Sequence, residues 1–96
     1  MGVRIELRVA GGFAGIRRPP LVLESSELAP DEARTVEELA AAVPPGHPPP
    51  RGADMMRYDV LIVSAGVRRS ETYFDPEVPE PVRELLRLAR EAAGGK

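Results

Sequence analysis

The chain has 96 residues, a formal charge of −2 and no cysteine. That length supports one modest core, and the missing cysteine excludes disulfides and thiolate metal sites. The charge is dispersed, so electrostatics give no reason to expect a nucleic-acid partner.

Val3, Ile5, Leu7 and Val9 alternate with Arg4, Glu6 and Arg8, a period of two that predicts a strand with one buried face. It runs into Gly11-Gly12-Phe13-Ala14-Gly15-Ile16-Arg17-Arg18-Pro19-Pro20, where three glycines in five positions carry two large apolar side chains. Leu21-Val22-Leu23 reads as a second strand, antiparallel to the first, because a ten-residue loop cannot hold a crossover helix. Ser25-Ser26-Glu27 breaks the pattern. Pro30 then fits a first helical position, with Asp31 and Glu32 in the first turn. Ala33, Val36, Ala40 and Val43 mark the apolar stripe of a helix of about 13 residues, stopped by Pro44-Pro45.

Residues 44–54 are too rich in proline for helix or central strand and read as a stiff connector. Tyr58 to Val63 is the third strand and Ser70 to Phe74 the fourth. A three-residue turn with Gly66 left-handed pairs Ile62 with Ser70, Val60 with Thr72 and Tyr58 with Phe74. A two-residue turn puts Arg69 and Glu71 on the face of Val60 and Ile62, so the first register is expected. Val82, Leu85, Leu86 and Ala89 form the stripe of a second helix that Gly94-Gly95 ends. The expected fold is α+β in the order β-β-α-β-β-α: a four-stranded, mostly antiparallel sheet with both helices on one face. Residues 1–96 are expected to form a single domain.

No apolar run approaches the ~20 residues of a membrane span. The N-terminus lacks the uninterrupted apolar segment of a signal peptide, and Met1-Gly2 is not followed by a myristoylation pattern. A cytoplasmic protein, with no membrane association, is the expectation. His47 is the lone histidine, with no cysteine and no second histidine to share a metal or a catalytic pair. HExxH, P-loop, Rossmann and kinase signatures are absent. The acidic residues Asp31-Glu32, Glu37-Glu38, Asp75, Glu77 and Glu80 mostly fall where solvated surface is the ordinary reading. Arg17-Arg18 and Arg68-Arg69 are two short basic pairs, too few to read nucleic acid.

The glycine-rich stretch therefore stands out as the binding candidate. Its backbone amides suit a phosphate, but no helix begins there and Phe13 and Ile16 are poor neighbours for an anion. A plain turn needs neither Phe nor Ile. Either these side chains fold back as core plugs, or they are presented to a partner, with Pro19-Pro20 stiffening the exit.

The strand Val3 to Val9 with the block that follows it, the Leu28-Ala29-Pro30-Asp31-Glu32-Ala33 helix start and the proline-rich middle together resemble emfourin. So do the Arg57-Tyr58-Asp59-Val60 strand and the closing Pro79-Glu80-Pro81-Val82-Arg83-Glu84-Leu85. Emfourins are small proteinaceous inhibitors of protealysin and related thermolysin-like metallopeptidases. Gly11-Gly12-Phe13-Ala14-Gly15-Ile16 is the specific part. The Ser64-Ala65-Gly66-Val67 hairpin departs from the more polar turn expected of the family.

The resemblance implies a cytoplasmic inhibitor, not an enzyme, that needs no cofactor or metal of its own; a monomer when free is expected separately, since no surplus apolar face stands out beyond the helix stripes and the sheet. Its partner is a thermolysin-like zinc metallopeptidase, bound through Gly11, Gly12, Phe13, Ala14, Gly15, Ile16, Arg17 and Arg18. Phe13, or Ile16 in its place, would fill the apolar pocket just beyond the scissile position. The alternative is a non-enzymatic interaction module with another partner, using the same loop or the exposed sheet face.

Overall fold

The computed structural model describes residues 2–10, 20–46, 56–74 and 77–94. Four strands, β1 (Val3–Ala10), β2 (Leu21–Glu24), β3 (Arg57–Ser64) and β4 (Val67–Phe74), form one sheet in the order β2-β1-β3-β4. Every neighbouring pair is antiparallel. The helices are α1 (Pro30–Ala42) and α2 (Glu80–Gly94). This matches the order β-β-α-β-β-α expected from the sequence.

Alternation in β1 does what its pattern requires: Val3, Ile5 and Leu7 are buried while Arg4 and Arg8 face solvent. Ile5 lies opposite Leu23 on one side and Ile62 on the other, and Leu7 lies opposite Leu21 and Val60. Val36 and Ala40 of α1 and Val82, Leu85, Leu86 and Ala89 of α2 close over this face in one core cluster. Each of the valine and leucine side chains, fully buried, contributes roughly 1.5–3 kcal/mol, and the alanines less. Among the described residues, no helix covers the opposite face of the sheet.

The ends of the helices follow from their caps. Pro30 opens α1, with the Ala33 amide donating to the Ala29 carbonyl at 2.8 Å, and Asp31 and Glu32 occupy the first turn. After Ala42 the chain turns extended at Val43, and Pro44 has no amide to continue the ladder. The Ser25-Ser26-Glu27 break is a 3-10 turn whose first residue is buried. There the Val3 amide donates to Ser25 Oγ at 2.8 Å, satisfying the first donor of β1.

The hairpin between β3 and β4 corrects the expected register. Its turn has two residues, Ala65 (φ 53°) and Gly66 (φ 78°), both left-handed, as the twist of an antiparallel hairpin favours. Ile62 therefore pairs with Arg69, Val60 with Glu71 and Tyr58 with Tyr73, and β4 begins at Val67 rather than Ser70. Arg69 and Glu71 do point to the helix-covered side, the arrangement that counted against this register.

It holds because β4 is an edge strand and the exit of α1 passes beside it. Arg69 Nη2 donates to the Val43 carbonyl at 2.5 Å, and the Gly46 amide donates to Glu71 Oε1 at 2.8 Å. Arg69 Nε bonds Glu71 Oε2 at 2.9 Å. The Tyr73 hydroxyl donates to the Pro44 carbonyl. Two inward charges thus meet backbone groups that would otherwise lack partners. Tyr73, only 2% exposed, takes the core place that Phe74 was expected to fill.

The Gly46 amide, and after it the Arg69 guanidinium, hold the Glu71 carboxyl below its ordinary range. Burial, followed by the nearby Glu71 charge, raises the Tyr73 phenol.

Three outcomes follow. A Cβ on Gly46 would collide with the Thr72 carbonyl oxygen and lie 3.0 Å from its amide nitrogen. Gly46→Ala is therefore expected to cost about 1–3 kcal/mol in chemical denaturation, whereas Gly94→Ala, with nothing within 4 Å, costs nothing. Ala65→Asn, which relieves the left-handed alanine, raises stability by about 1 kcal/mol in the same measurement. Glu71 has a depressed folded pKa, so its contribution is present above the unfolded carboxylate pKa and lost as pH falls through the folded value. Glu71→Gln is accordingly less stable at pH 7 and loses less than wild type on acidification, as thermal melts across pH 7 to 3 will read.

Candidate functional site

The binding stretch expected from the sequence, Gly11 to Arg18, lies outside the described residues, as does His47. What the structure does fix is the frame to which that stretch is attached. β1 pairs with β2 as far as Leu7 opposite Leu21, and with β3 as far as Ala10 opposite Arg57. Arg57 in turn lies opposite Phe74, the last residue of β4. One end of the sheet therefore gathers the exit of β1, the entry of β2, the entry of β3 and the exit of β4. Residues 11–19 join two adjacent strands at that end, one of them interior to the sheet and hydrogen-bonded on both sides.

The helix-free face of the sheet is polar along its length. Arg4 bridges Glu6 and Glu24, each at 3.3 Å. Arg57 Nε lies 3.0 Å from Asp59 Oδ1, which also accepts a 2.8 Å bond from Thr72 Oγ1. These are exposed or half-exposed pairs and contribute little to stability. Arg8, near the loop end, and Arg68, opposite Val63 toward the other end, are also exposed on this face, and their side chains, like those of Arg34, Arg83 and Arg90, have no ion-pair or hydrogen-bond partner among the described residues. Arg68-Arg69, adjacent in sequence, is no basic pair in space, because strand alternation sends Arg68 outward and Arg69 toward the α1 exit.

The acidic residues behave as surface: Asp31, Glu32, Glu37, Glu38, Glu77 and Glu80 are exposed, and Asp75 lies outside the described residues. Among the described residues no group of three or more His, Cys, Asp or Glu side chains is placed to hold a metal ion. No described helix is long and apolar enough to cross a membrane. On the outer face of α2, Arg87 bonds Glu84 at 2.7 Å and Glu91 at 2.6 Å. These bonds raise the Arg87 pKa and lower that of Glu84. An apolar groove of about 310 Å³, lined by Leu23, Leu28, Val36 and Leu88, runs between the helices beside the Ser25 turn.

Sequence reasoning singled out the loop and passed over Arg8. The signal was there in the alternation of β1, which places Arg4, Glu6 and Arg8 in a single outward row ending beside the loop.

The emfourin family model matches residues 7–90, nearly the whole chain and the entire glycine-rich stretch. That family implies a protease-inhibitor role. No curated protein matches the chain, and no solved structure does.

Proposed function

Because the chain belongs to the emfourin family, we propose that it inhibits a thermolysin-family zinc metallopeptidase of the protealysin kind by occupying the active-site cleft with residues 11–18. It would do so in the cytoplasm, as a monomer, without catalysing a reaction. The supporting observation is the anchoring of the stretch. Ala10 and Pro20 bracket it, and the strands that lead to them belong to one antiparallel sheet with a buried face.

Thermolysin-like enzymes bind substrate as an extended strand and favour a bulky apolar residue after the scissile bond. Gly12-Phe13 and Gly15-Ile16 each offer a small residue followed by such a side chain. Phe13 enters the apolar pocket and the Gly12 carbonyl faces the enzyme's zinc, with main-chain bonds along the cleft supplying affinity. Arg17 and Arg18 meet carboxylates at the cleft rim and act mainly on the association rate. Roots held by the sheet limit the entropy lost on docking and keep a bound loop from reaching productive cleavage geometry.

The test is inhibition of protealysin by wild type and variants. Phe13→Ala raises the inhibition constant at least tenfold, the scale of losing one buried aromatic anchor, with thermal stability nearly unchanged. Loss of stability with inhibition retained makes Phe13 a core residue and places the contact elsewhere.

A further inference from the structure

We propose that Arg57 and Phe74, the terminal cross-strand pair of β3 and β4, form a second anchor for the same peptidase, set against an apolar side chain and neighbouring main-chain carbonyls on the rim of its cleft. The proposal rests on the cleft-binding reading above and extends it from the loop to the strand ends beside it.

Placement comes first. Ala10, the last residue of β1, lies opposite Arg57, the first of β3, and Arg57 lies opposite Phe74, the last of β4. Residues 11–19 leave from this row. Neighbouring strands stand about 4.8 Å apart, so Phe74 is about 10 Å from the root of the loop. A partner seated on residues 11–18 has the row beside it. The next row, Val9, Tyr58 and Tyr73, belongs to the helix-covered side. Alternation therefore turns Arg57 and Phe74 to the other face, where Arg57 is exposed and Phe74 half-buried.

The chemistry is that of an anchor rather than of a charged patch. Aromatic and arginine side chains carry a large share of the energy of protein interfaces. Because Tyr73 occupies the core, the Phe74 ring is left partly in solvent at the end of an edge strand. Arg57 is held through Nε by Asp59 Oδ1 at 3.0 Å, and that oxygen also accepts from Thr72 Oγ1 at 2.8 Å. Both Nη groups of Arg57 remain without a partner among the described residues.

The other ion-paired arginines differ. Arg4 lies opposite Val63 toward the far end of the sheet, Arg69 turns inward to the Val43 carbonyl, and Arg87 spends both Nη nitrogens on Glu84 and Glu91. Asp59 offsets the charge of Arg57, and the exposed Glu77 follows closely on Phe74. No net positive charge gathers at the row, so its fitting acceptors are carbonyl oxygens met at short range. The Phe74 carbonyl accepts from the Glu77 amide at 2.8 Å, which fixes the backbone that carries the ring. Two side chains ordered beforehand lose less freedom on docking.

Such an anchor acts after encounter, on how long the complex lasts. The experiment measures association and dissociation rates with protealysin for Arg57→Gln, for Phe74→Ala, and for Val63→Ala/Arg68→Gln, a control pair at the opposite end of the same face. Thermal melts establish that each variant is folded at the assay temperature. Arg57→Gln, which removes an exposed group, carries the test if Phe74→Ala is not. Arg57→Gln and Phe74→Ala are each expected to speed dissociation at least about fivefold, the scale of an interface anchor. Association should stay within about 1.5-fold of wild type, and the loss should persist from ~20 mM to ~500 mM salt, where long-range steering is screened away. The control pair should dissociate as wild type does. Unchanged dissociation of the folded anchor variants, or equal acceleration in the control pair, while Phe13→Ala weakens inhibition, overturns the second anchor and leaves the loop reading standing. A wild-type chain that leaves protealysin fully active overturns both.

Discussion

The fold depends on how its last strand meets the exit of its first helix. β4 is an edge strand, and on its inward side it carries Arg69, Glu71 and Tyr73, two charges and a phenol where a central strand would carry hydrocarbon. Those groups are tolerated because residues 43–46 run beside them. The Val43 and Pro44 carbonyls accept from Arg69 and Tyr73, and the Gly46 amide gives its proton to Glu71. Gly46 also has to approach the Thr72 backbone so closely that no side chain fits between them. This seam fixes the hairpin register, closes the core along one side and covers part of an edge that would otherwise offer itself to other strands.

With that side closed, β1 becomes the structural axis. It is bonded to β2 on one side and to β3 on the other, and its buried residues touch both neighbouring strands. The glycine-rich stretch departs from the end of this strand and returns into β2, so a segment of permissive composition is held at both ends by an ordered frame. Both described helices lie on one face of the sheet, and the other face carries charged residues along its length.

Much of this architecture was legible in the sequence, and the reasons differ by element. The period-two run of β1 and the stripes of α1 and α2 are strong because each buries one face only. Pro30 and Pro44 mark the limits of α1 by simple stereochemistry. The hairpin register was not legible. It turned on whether Arg69 and Glu71 could lie inward, and the answer came from backbone groups at Val43, Pro44 and Gly46, more than twenty residues away, which no local pattern announces. The left-handed Ala65 hid the two-residue turn as well, since asparagine is the usual sign. Of the candidate site, composition pointed to Gly11–Arg18, and the family match spans that stretch. The outward row ending in Arg8 was visible as alternation, but its meaning depended on knowing that no helix covers it.

The account's central claim is that a peptidase sits on the loop-bearing end of the sheet. Hydrogen–deuterium exchange of the chain, alone and saturated with protealysin, tests it most directly. The account predicts new protection from Arg8 through Leu21. The groove between α1 and α2 around Leu28 and Leu88 should be unchanged. Protection confined to that groove, with residues 8–21 exchanging as in the free chain, would contradict it.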